Sequence, residues 1–77
     1  MNKARRQWIE RIINELETQR DELTNVQEEE QEAFDNMPEG LQYSEKGESI
    51  SENASDLEDA ASSIDDVITS LYEILER

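Results

Sequence analysis

The sequence predicts an all-α protein, an antiparallel two-helix hairpin that pairs into a four-helix bundle as a homodimer. Three observations carry that prediction. Ile50, Ala54, Leu57, Ala61, Ile64, Ile68, Leu71 and Leu75 follow one another at alternating spacings of four and three residues, which is a heptad seam. The one Pro and both Gly of the chain fall between positions 38 and 47, so the helix breakers are confined to a single place. The first half repeats the seam pattern with more polar interruptions.

The first helix is expected from about residue 3 to about residue 35, roughly 45–50 Å long at 1.5 Å per residue. Its stripe reads Ile9, Ile12, Leu16, Leu23, Val26, Ala33 and Met37 if Gln19 and Glu30 occupy seam positions, with Trp8, Ile13 and Phe34 broadening it at the ends. Pro38 lacks an N–H and disfavours helical geometry at Met37, so the chain turns there. The connection covers about 36–46, where Asn36 with Glu39 resembles a capping box and Pro38 to Gln42 reads as a short helical turn. The second helix is expected over about 47–76, opened by Ser49-Ile50-Ser51-Glu52 as another capping box.

Two long helices with a short connection lie antiparallel. With the turn centred near Gln42, facing positions sum to about 84, which sets Arg11 near Glu73, Arg20 near Asp65 and Glu30 near Ala54. Ala60, Val67 and Ile74 flank the second seam and widen it beyond what one hairpin can cover. A second copy is therefore expected on Ile50, Leu57, Ile64, Ile68, Leu71 and Leu75.

The 77 residues allow one domain, 1–77, of a size whose single core supplies only ~3–5 kcal/mol without staples. With no Cys and no His, disulfides, thiolate or imidazole metal sites, Cys nucleophiles and histidine acid/base chemistry are excluded, and self-association is the remaining staple. No apolar run exceeds two residues, so neither a signal peptide nor a membrane span is expected, and the protein reads as cytoplasmic. The net charge of −14 is unevenly distributed. Residues 1–20 carry Lys3, Arg5, Arg6, Arg11 and Arg20 against Glu10, Glu15 and Glu17, whereas the rest hold 18 acids against Lys46 and Arg77. Such a body repels nucleic acid and attracts basic proteins. Low hydrophobicity with high charge also fits disorder, but a sustained seam argues for folded helices.

Three clusters are candidates for function. Glu28, Glu29 and Glu32 with Asp56, Asp59, Asp65 and Asp66 form acidic runs that fit either a partner-binding surface mimicking a phosphate backbone or a solvated face. None has the spacing or glycine of a calcium loop, so no metal site and no cofactor is expected. Lys3, Arg5, Arg6 and Trp8, joined by Tyr43 and Lys46 at bundle ends, could hold a small anionic ligand such as a nucleotide signal, or serve only as a solubilising tip and core cap. The serines have no His or recognisable Lys activator and read as caps and polar faces, so an enzyme is not expected.

The stretch from Ala33 to Glu48, Ala-Phe-Asp-Asn-Met-Pro-Glu-Gly-Leu-Gln-Tyr-Ser-Glu-Lys-Gly-Glu, follows a Lys/Arg-rich start and precedes an Asp-Leu-Glu-Asp-Ala-type heptad helix. In this it resembles small acidic helical proteins encoded in phages and prophages of Firmicutes. The resemblance implies an accessory protein that binds and neutralises a host component, such as a defence protein, and the acidic charge adds the expectation that this partner has a basic surface. The rival expectations are an oligomeric sponge for a small anionic ligand and a structural or assembly adaptor.

Overall fold

The computed structural model describes all 77 residues as three helices, α1 (Lys3–Asp35), α2 (Glu39–Gln42) and α3 (Glu45–Leu75). The two long helices pack side by side along their length into a rod with Cα extents of 59 × 15 × 13 Å. The all-helical hairpin is as the heptad pattern predicts.

Both long helices start on capped turns. Asn2 accepts from the Arg5 backbone N–H (2.9 Å) at the head of α1, and Ser44 accepts from the Gly47 N–H (3.2 Å) at the head of α3. These contacts occupy donors that a helix terminus otherwise leaves free. The cap of α3 is thus Ser44 and not Ser49, and the helix begins two residues before the expected 47 because Ser44 already supplies the capping oxygen. The expected box at Asn36 and Glu39 does not form either. Asn36 closes α1, and α2 starts after Pro38 with no side-chain cap. Gln42 finishes the turn, its amide donating to the carbonyls of Phe34 (3.1 Å) and Met37 (3.4 Å) at the end of α1.

The inward-facing seam of α3 comprises Gly47, Ile50, Ala54, Leu57, Ala61, Ile64, Ile68, Leu71 and Leu75, all buried or half-buried. Alternate members from Gly47 to Ile68 are buried, and the small Ala54 and Ala61 let α1 approach closely while Gly47 admits the carbonyls of the connection. The seam of α1 departs from the reading above by one residue at alternate positions. It runs Arg6, Ile9, Ile13, Leu16, Arg20, Leu23, Gln27, Glu30, Phe34 and Met37, all buried or half-buried, whereas Gln19, Val26 and Ala33 are exposed. Ile13, expected only to broaden the stripe, is its most enclosed side chain at 1% exposure.

Polar groups in that seam find partners across the hairpin. Arg20 donates to Asp65 (2.7 Å) and also to Asp21, and these carboxylates, Asp65 above all, hold its guanidinium pKa above the ordinary value. Arg6 donates to the Leu75 carbonyl, placing a cation on the last carbonyls of α3 where the helix dipole favours one. Arg11 and Glu73 make no ion pair, since both sit at outward heptad positions although they share a level along the rod.

Only Ile13, Ala54, Ala61 and Ile68 are buried apolar residues, and Gly47 is buried with them. At Gly47 two effects oppose each other. Alanine is favoured over glycine by about 1 kcal/mol in a helix, but a Cβ here would lie 2.6 Å from the Leu41 carbonyl oxygen and closer still to that of Gln42. Both are backbone atoms, so the clash wins. Gly47→Ala is expected to lower stability by about 1–3 kcal/mol in denaturant titration, whereas Gly40→Ala, with open space around the site, is expected to be neutral or stabilising.

Candidate functional site

The two broad faces of the rod differ in chemistry. Beside the α1 seam on one side run Arg5, Ile12, Gln19, Val26 and Ala33, and beside the α3 seam on the same side run Asn53, Ala60, Val67 and Ile74. Val26 shares a groove with Asn53 and Leu57, which confirms that the two rows lie on one face. Trp8 and Met1 extend this face at the open end, in an apolar hollow with Arg5, Ile9 and Ile12. Trp8 stands 59% exposed, Val67 49% and Val26 46%. The opposite face carries Glu10, Glu17 and Thr24 from α1 with Glu58, Asp65 and Tyr72 from α3.

Charge is segregated along the rod as well as around it. Residues 20–64, the half nearer the connection, hold 14 acids against Arg20 and Lys46, a net −12. The open half holds 7 acids against Lys3, Arg5, Arg6, Arg11 and Arg77, a net −2. Glu28, Glu29, Glu32, Asp56, Asp59, Asp65 and Asp66 are all exposed, and only Asp65 is engaged in an ion pair, with Arg20. No polar or charged side chain is buried, and no group of three or more Asp or Glu is arranged to hold a metal ion.

The structure does not bring the anion-binding candidates together within one chain. Lys3, Arg5, Arg6 and Trp8 lie at the open end, while Tyr43 and Lys46 lie beside the connection at the far end of the 59 Å rod. Arg6 is moreover committed to the Leu75 carbonyl. Of the oligomer-seam residues, Ile68 is buried inside the hairpin and Ile50, Leu57, Ile64, Leu71 and Leu75 are half-buried; Leu57 borders the groove with Val26 on the apolar face, whereas Leu75 borders a hollow with Glu10 and Tyr72 on the opposite one. The wider set that sequence reasoning placed in the α1 seam, Ile12, Val26 and Ala33, belongs to this outer face. Their seven-residue spacing was the available signal.

No family model, curated protein or solved structure matches the chain. No helix is long and apolar enough to cross a membrane.

On the polar face, Tyr72 donates its hydroxyl to the Glu17 carboxylate (3.2 Å), which raises the phenol pKa above its ordinary value of 10.0. The bond needs the protonated phenol, so its contribution is complete below pH 10 and disappears as pH rises through the raised folded-state pKa. The Tyr72 phenolate band is therefore expected at higher pH than in Glu17→Gln. Equal titration midpoints in the two proteins would show that the contact does not persist in solution.

Proposed function

We propose that the chain is a homodimeric four-helix bundle that acts by stoichiometric, non-catalytic binding of a basic host protein, as a phage-encoded inhibitor would. In this reading the acidic half of the rod stands in for a nucleic-acid backbone. The observation that carries it is the linear density of charge. Net −12 over about half of the 59 Å rod is one charge per about 2.5 Å, between the 1.7 Å of duplex DNA and the 3.4 Å of a single strand. A groove lined with Lys and Arg for phosphate would meet a comparable field here.

Dimerisation is supported by area. The single hairpin exposes 5766 Å², about 900 Å² more than the roughly 4,900 Å² of a compact 9.0 kDa monomer. That excess is close to the ~800 Å² that each partner contributes to a standard interface. The elongated rod carries that excess, and one of its faces is apolar for most of its length.

Light scattering is expected to give at least twice the 9.0 kDa chain mass. Val67→Asp should yield a helical monomer, because Val67 is half exposed in the hairpin and its loss empties no core position. A monomeric wild type with full helicity would refute the dimer. For function, the chain should displace duplex DNA from basic nucleic-acid-binding proteins of a Firmicutes host, with an affinity that falls as salt rises. Neutralising Glu28, Glu29, Asp56, Asp59 and Asp66 to Gln or Asn should abolish displacement while leaving the helical signal intact. Displacement indifferent to both salt and these substitutions would overturn the mimicry.

A further inference from the structure

The apolar face carries the uncharged Gln19 at its middle, and polar side chains with a charged group at two levels near its ends. At the connection end Glu30 accepts from the Asn53 amide (3.4 Å), and at the open end Arg5 lies beside Trp8 and Ile12. Resting on the dimer proposed above, we infer that the second copy lies antiparallel on this face, with Arg5 of one copy against Glu30 of the other.

Two independent observations select this arrangement. The first is charge. A parallel pair would set two net −12 halves side by side and bring Glu30 against Glu30 within an apolar interface, where like charges are least screened. An antiparallel pair sets each −12 half beside a −2 half and gives each Glu30 a cation.

The second is register. Hydrogen bonds Arg6 to Leu75, Asn53 to Glu30, Arg20 to Asp65 and, through the long tyrosine side chain, Tyr72 to Glu17 join positions whose numbers sum to between 81 and 89, so each α3 residue can be assigned a level on α1 to within about one helical turn. A dyad that matches Arg5 with Glu30 passes midway between residues 17 and 18 of α1. At that level on α3 lies Val67, which therefore meets its own copy across the axis. Ala60, about seven residues or 10 Å to one side, falls at the level of Ile74 of the other copy, a small residue opposite a large one. The register was fixed by the charges alone, and it sets the apolar residues of the α3 row opposite one another.

The test uses the full chain. It has no Cys, so a nitroxide can be attached at Gly40→Cys, at the tip of the rod, where a side chain meets nothing within 4 Å. Pulsed dipolar spectroscopy is expected to give an inter-copy distance of about 60 Å, the reach from tip to tip across the dyad at 1.5 Å per residue. A distance under about 20 Å, that of hairpins packed parallel at helix-neighbour spacing, would overturn the inference while leaving the dimer standing. Absence of dipolar coupling with a monomer mass would remove both. The pairing is read separately. Arg5→Glu and Glu30→Arg should each weaken dimerisation by at least about tenfold, and the double exchange should restore it. A double variant no better than the singles would overturn the Arg5–Glu30 register.

Discussion

The closeness with which α1 can approach α3 governs the rest of the molecule. Ala54 and Ala61 occupy alternate seam positions of α3 and are buried against α1, and Gly47, one heptad before Ala54, is closed over by the Leu41 and Gln42 carbonyls of the connection, so α3 is met over small residues and not over interlocked large ones. Close approach gives good packing but little apolar area, since an Ala or Gly removes far less surface from water than a Leu or Ile. The larger seam residues, Ile50, Leu57, Ile64 and Leu71, stay only half-buried. Flanked by Ala60, Val67 and Ile74, they form a second stripe that the hairpin cannot close on itself. The same small residues that hold the hairpin together therefore leave open the surface on which the proposed second copy would lie.

Charge acts on that surface from outside. A chain with 21 acids and 7 bases repels its own copies at long range, and the repulsion is strongest where the net −12 half is concentrated. Apolar burial must overcome this, and antiparallel packing is the orientation in which it has least to overcome. The result matters for the proposed mimicry. In an antiparallel pair each half of the bundle carries −12 from one copy and −2 from the other, so the field becomes even along the rod at about one charge per 2 Å, closer to a duplex than a lone hairpin is.

Most of the fold was legible in the sequence, because the seam of α3 is written in apolar residues and the breakers are confined to one connection. The seam of α1 was legible only to within one position. Ile12, Val26 and Ala33 repeat at seven or fourteen residues as regularly as Ile13, Arg20, Gln27 and Phe34 do, and they are the more apolar set, so spacing alone favoured the wrong row. What decides between them is which row meets α3, and there Arg20 has Asp65 and Glu30 has Asn53. Capping was misread for a related reason. Ser49 heads the more complete box, with Glu52 three residues on, but the chain caps at Ser44, where Gly47 tucks under the Leu41 and Gln42 carbonyls. The charged surface was fully visible in the sequence, but its division between a polar and an apolar face was not.

The polar residues of the α1 seam then have a role that a purely apolar row would lack. Were Arg6, Arg20, Gln27 and Glu30 replaced by Leu, α1 would carry apolar residues on its seam and flank together, and could pair with another α1 in several registers. As it stands, three of these four polar groups find a partner on α3. Arg6 is placed on its final carbonyls, Arg20 on Asp65, and Glu30 beside Asn53. Exposed contacts of this kind add little stability, about 0–1 kcal/mol each. Their effect is to make the competing pairings worse, since in those the same side chains would be covered without partners. Specificity of the hairpin thus resides in the weaker half of the seam, and its cohesion in the stronger.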